Sequence, residues 1–198
     1  KYDPHVWTSP KQAKIQVDNI VNTLSQASPQ AKDAFTAAGK KYTDQLEDLD
    51  KWASDSMSAV PEQDRVLFSS HDAFGYFSNE YGVKFIGSAL SDFNHQQDAT
   101  SRHIDEQAKQ IRESGAKAIF AENSNNSKSI EAIARAAGVK AVTSDDALYG
   151  DSLGVPGSEG ETYIGSIVHN INTLVSAWDS EQQPLPESLQ AFDVAKRK

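Results

Sequence analysis

Two stretches of this chain read as strand–helix–strand units, and that pattern restricts the fold more than any other feature. Strands joined through a helix pair in parallel, whereas antiparallel neighbours need only a tight turn. In the first unit Val66-Leu67-Phe68 is a short continuous apolar run ending in Ser69-Ser70-His71, the pattern of a strand buried on both faces. The spacing then predicts a helix from Ala73 to Tyr81, closed by Gly82, and a strand from Val83 to Ile86. In the second unit a strand over Ala118–Ala121, a helix over Ser127–Ala137 ending at Gly138, and a strand over Val139–Val142 follow the same order. The expected class is α/β, with parallel-type sheets flanked by helices.

The rest of the chain reads as helix and loop. Ser9-Pro10 is an N-cap followed by proline at the first helical position, and Ile15, Val17, Ile20, Val21 and Leu24 give that helix an apolar face. Ser28-Pro29 repeats the signal before a longer helix carrying Phe35, Ala38, Tyr42, Leu46, Leu49 and Ala53, which Gly39 is expected to break. Ser91 to Thr100 is polar and turn-rich, the expected boundary between two lobes. Thr100 to Ser114 is a polar helix with Ile104, Ala108 and Ile111 as its few apolar anchors. Polar helices can bridge domains, so it is read as the connector, although a solvated surface helix has the same pattern. The expected division is an N-terminal lobe over 1–98, a linker helix over 99–115 and a C-terminal lobe over 116–198. That last lobe holds a helix from about Ser158 to Trp178 and a final one over Glu187–Lys198.

Composition narrows the chemistry. The chain has no cysteine, so thiolate zinc sites, disulfides and a Cys nucleophile are excluded, and a tight metal site would draw on His, Asp and Glu. A formal net charge of −9 disfavours a nucleic-acid partner and an electrostatic hold on an anionic membrane. No apolar run approaches the roughly 20 residues of a membrane helix.

In parallel α/β sheets, ligands collect outside the carboxyl ends of the strands. His71, Glu122 and Asp151 follow predicted strands, and His5 sits just before the first helix. Two imidazoles and a carboxylate suit zinc or manganese. These residues are dispersed, however, and a histidine after a strand is more often a capping or core residue. His95 and His103 read as solvated and His169 as structural. No phosphate loop or nucleophile elbow is present, and no local signature supports a Ser-His-Asp triad.

Three motifs carry a resemblance: Asp3-Pro4-His5-Val6-Trp7, Ser69-Ser70-His71-Asp72-Ala73-Phe74-Gly75-Tyr76-Phe77 and Leu148-Tyr149-Gly150-Asp151-Ser152-Leu153-Gly154. In this order they resemble the metal-binding solute-binding proteins of zinc and manganese ABC importers (cluster A-I, the TroA-like family). The resemblance implies two α/β lobes joined by one helix, with Zn²⁺ or Mn²⁺ held between them for delivery to a membrane permease. It also implies an extracytoplasmic protein, lipid-anchored or periplasmic, that is not an enzyme. It assigns His5, His71 and Asp151 as metal ligands and places Glu122 behind them. The family's first strands and first His ligand have no counterpart here, so the N-terminal lobe is expected to be incomplete and self-association to cover the apolar surface left bare. A three-ligand metal hydrolase and a surface adhesin with a vestigial site are the alternatives.

Overall fold

A computed structural model of the chain describes residues 2–90 and 101–194. The four strands β1 (Val66–Ser69), β2 (Lys84–Ser88), β3 (Ala118–Phe120) and β4 (Lys140–Val142) form one wholly parallel sheet in the order β2-β1-β3-β4. Among the described residues six α-helices flank it: α1 (Pro10–Ala27), α2 (Lys32–Ser58), α3 (Gly75–Tyr81), α4 (Ser101–Ser114), α5 (Lys128–Ala137) and α6 (Tyr163–Ala177).

The alternation of side chains along each strand builds two cores. Leu67, Ala118 and Phe120 face one layer, where they meet Leu49, Trp52 and Met57 of α2, Phe77 of α3 and Leu174 of α6. Val66, Phe68 and Ile119 face the other, against Ala108 and Ile111 of α4 and Ile130 and Ile133 of α5. Trp178 ties α6 to the sheet: it is fully buried, and its indole N–H donates to the Val66 carbonyl at 3.2 Å. Burying one such side chain contributes on the order of 1.5–3 kcal/mol.

The α/β class with parallel strands flanked by helices is as expected, but the division into two lobes across 99–115 needs correction. Ser69 of β1 pairs with Phe120 of β3, so strands assigned to different lobes belong to one sheet. Helix α4 is the crossover from β2 to β3. Its anchors at i, i+4 and i+7 are enough to seat it, with Ala108 and Ile111 both fully buried, while its polar remainder faces water. The boundary expected over Ser91–Thr100 falls outside the described residues, as does His95.

Local signals explain the element ends. Ser9 Oγ accepts from the Gln12 N–H, and Thr162 Oγ1 from the Gly165 N–H at 3.0 Å, so both α1 and α6 start on side-chain caps. Thr162 places the start of α6 at Tyr163, later than the pattern suggested. Gly82 and Gly138 end α3 and α5 in the left-handed conformation. Gly39 does not break α2. A Cβ there would lie 2.3 Å from Val21 Cγ2, so the glycine lets α1 and α2 approach closely as an antiparallel pair. The expected final helix is a short 3-10 turn, Glu187–Phe192, and residues 195–198 lie outside the described set.

Candidate metal centre

The strand order places the site. From β1 the chain crosses through α3 on one face of the sheet to β2, and from β3 it crosses through α5 on the other face to β4. Between β1 and β3 the connections therefore diverge, opening a crevice at the carboxyl edge. His71 follows β1 into it, and Glu122 follows β3.

His71 is held from behind. Glu122, only 1% exposed, accepts the His71 backbone N–H at 2.8 Å with Oε2, and the same oxygen lies 2.8 Å from His71 Nδ1. With Nδ1 directed to that carboxylate, Nε2 is the nitrogen left to face the crevice. The hydrogen bond to Glu122 raises the His71 pKa above its ordinary value; burial opposes the rise, and the negative charges of Glu122 and Asp151 add to it.

His5 reaches the same point from the segment before α1. Its backbone N–H donates to Asp3 Oδ1 at 2.9 Å, and its Nδ1 lies 2.6 Å from the same oxygen. The stretch is fastened at Trp7, whose indole N–H donates to the Gly150 carbonyl at 2.9 Å and whose carbonyl accepts from the Tyr163 hydroxyl at 2.7 Å.

Asp151 comes from the loop beyond β4. Leu148 lies beside β3's extension, donating to the Ala121 carbonyl and accepting from the Asn123 N–H, each at 2.9 Å. The Asn170 carboxamide of α6 takes both backbone groups of Tyr149 at 2.8 Å, and Asn123 Nδ2 donates to Ser152 Oγ at 2.9 Å. Gly150 is required by space: a Cβ would lie 2.4 Å from Glu122 Oε1.

These elements bring His5, His71 and Asp151 together, with one ligand-type atom of each within 4.8 Å of the others. Asp151 Oδ2 is 3.0 Å from His71 Nε2, and Asp151 Oδ1 is 3.5 Å from His5 Nε2. Tetrahedral zinc, with ligands at about 2.0–2.2 Å, sets neighbouring ligand atoms roughly 3.3–3.6 Å apart. His71 Nε2 is buried, and among the described residues it makes no hydrogen bond of acceptable geometry, despite its 3.0 Å distance to the Asp151 carboxylate. The three ligand-type atoms thus stand at separations that one ion could span.

The other described histidines lie elsewhere. His169 is buried with Nδ1 2.7 Å from Glu159 Oε2 and Nε2 3.0 Å from the Ala147 carbonyl, as its structural reading required. His103 is half-buried on α4, with Nε2 3.4 Å from the Ala89 carbonyl, rather than solvated. Sequence reasoning missed the roles of Asp3, Trp7, Asn123 and Asn170. Asp3 stood two residues from His5 in a quoted motif; Asn170 has no local signal.

A parallel α/β unit that brings two histidines and one carboxylate together at the sheet's switch point has the donor set of a divalent-metal site. The chain belongs to the family described as zinc-uptake complex component A, periplasmic (ZnuA), which it matches over residues 1–177. It is 40% identical over 178 residues to the manganese-binding lipoprotein MntA of Bacillus subtilis, covering 89% of this chain and 58% of that protein. It is 33% identical over 179 residues to the zinc-binding protein TroA of Treponema pallidum, again covering 89% of this chain and 58% of that one. The solved structure of the periplasmic zinc-binding protein TroA superimposes with a TM-score of 0.79 at 30% identity, over 91% of this chain and 65% of that one. The chain thus spans somewhat over half the length of these two curated relatives.

Proposed function

We propose that this chain supplies three ligands, His5 Nε2, His71 Nε2 and an Asp151 oxygen, to a site that captures a divalent transition metal as transported cargo. The supporting observation is the approach of three dispersed residues to within 4.8 Å of one another, with the buried His71 Nε2 facing the Asp151 carboxylate at 3.0 Å. Glu122 serves as the acceptor that fixes His71 and balances charge behind it, without binding the ion. In the whole protein the ion would pass to the permease of an ABC importer, and no bond in the cargo is made or broken. The names of the relatives support an extracytoplasmic, lipid-anchored place for such a carrier.

Two imidazoles with one carboxylate lean towards zinc, because imidazole is a softer donor than oxygen; manganese prefers a harder set. The relatives' names include both metals, so the choice rests on the ligands. Calorimetric titration of the metal-stripped chain with Zn²⁺ and Mn²⁺, beside His71→Ala, tests the reading. One-to-one binding that is tighter for Zn²⁺ and lost in the variant is expected. Binding unaffected by the substitution would refute the assignment.

A further inference from the structure

Asp151 is the most exposed of the three proposed ligands, its side chain 43% accessible, and it stands on a loop rather than at a strand end. Loops place ligands less accurately than helices or strands unless other groups hold them. Backbone pairing of this loop with the extension of β3 ends at Leu148, and past the ligand Asn123 Nδ2 donates to Ser152 Oγ at 2.9 Å. One residue after Leu148, both backbone groups of Tyr149 are taken by the Asn170 carboxamide: the Tyr149 N–H donates to Oδ1, and Nδ2 donates to the Tyr149 carbonyl, each at 2.8 Å. Asn170 thus acts as a strand of one residue, on the side of the loop away from the sheet. It is 2% exposed and sits in the middle of α6, whose buried face joins the main core.

We infer that Asn170 is a positioning residue for metal capture, setting where the Asp151 carboxylate stands by holding the backbone N–H and carbonyl of Tyr149, two residues before it. The inference rests on the proposed role of Asp151. A buried amide costs free energy unless its polar atoms are bonded, and asparagine is a poor helix former beside leucine. Asn170 spends these two bonds on the backbone of a single residue in the loop that carries the ligand. Trp7, which holds the Gly150 carbonyl, comes from the segment carrying His5, so it moves with a ligand of its own. Asn170 instead refers the loop to the core.

The test is a double-mutant cycle on the full chain, with Zn²⁺ affinity read by chelator competition for the unaltered chain, Asn170→Leu, Asp151→Ala and the pair. Leucine keeps much of the volume and leaves these Tyr149 backbone groups unbonded. In the wild-type background N170L is expected to weaken Zn²⁺ binding by roughly 10–100-fold, the usual cost of losing an outer partner of a metal ligand. In the D151A background it should change affinity by less than about twofold, because two effects exerted through one group do not add. Asn170→Ser, which leaves room for a bridging water, should recover part of the loss and serves in the same cycle if N170L fails to fold. An unchanged affinity in N170L, or in N170S where N170L does not fold, or the same fold-loss with and without Asp151, would overturn the inference. D151A binding as tightly as the unaltered chain would instead overturn the site, and no binding by the unaltered chain would overturn both.

Discussion

His71 and His5 face the same point by the same device at different depths. Each directs Nδ1 at a carboxylate that also accepts its own backbone N–H, so each is left with Nε2 for the crevice. Behind His71 the Glu122 side chain is wholly buried, whereas behind His5 the Asp3 side chain is 33% exposed. Glu122 follows a strand at the centre of the sheet, and Asp3 belongs to a segment fastened largely through Trp7. The geometry is shared, so any difference in how the two halves respond measures what burial adds. An exposed carboxylate is screened and can be replaced by water; a buried one cannot.

Removing a ligand should have the largest effect. His71→Ala and Asp151→Ala should each weaken Zn²⁺ binding by more than the roughly 10–100-fold expected for any outer partner, as read by chelator competition. Next should come Glu122→Ala, within that range, with Asp3→Ala clearly milder because solvent can serve His5 in its place. Equal losses for the two would erase the distinction between the halves. Gly150→Ala probes the buried half from the other side: its methyl group would meet the Glu122 carboxylate, and a loss comparable to that of E122A is expected. Unchanged affinity in G150A would show that the loop shifts without cost.

Acid sharpens the same contrast. A metal ligand must be deprotonated, and the His71 pKa is raised chiefly by its bond to Glu122. Affinity should therefore be full above that raised value and decline as pH falls through it, starting higher than the ordinary imidazole value of 6.5. For the metal-free chain the sign reverses. The protonated His71–Glu122 pair contributes stability fully below the unfolded value near 6.5, and that contribution is lost as pH rises through the folded one. Glu122→Gln should move the affinity midpoint downward, whereas D3N should leave the His71 contribution in place; titrations of affinity against pH would show it. The smallest effect belongs outside the site. Ile20 and Leu24 are exposed on α1, 57% and 42%, and I20S or L24S should leave Zn²⁺ affinity unaltered.

The same division between local and tertiary determinants explains what the sequence made legible. Strands β1 and β3 stood out because continuous apolar runs mark strands buried on both faces. The glycines after α3 and α5 marked those ends because a left-handed residue there favours glycine. Gly39 misled because the same residue type also serves close helix contact, and only the neighbouring Val21 tells the two uses apart. The joining of β1 to β3 was hidden, since one register pair, Ser69 with Phe120, decides between one sheet and two. In the site, His71 and Glu122 were visible as polar residues after strands. His5 took its role from the family resemblance. Asn170 gave no warning: a polar residue in mid-helix shows its purpose only when the loop it holds is in place.

On the proposed assignment His5 and His71 bind one ion together with Asp151. X-ray absorption of the zinc-loaded chain tests it most directly, because outer-shell scattering counts imidazoles. Two imidazole nitrogens at about 2.0–2.1 Å beside oxygen donors are expected, falling to one in either His5→Ala or His71→Ala. A count that stays at two in both variants would contradict that assignment.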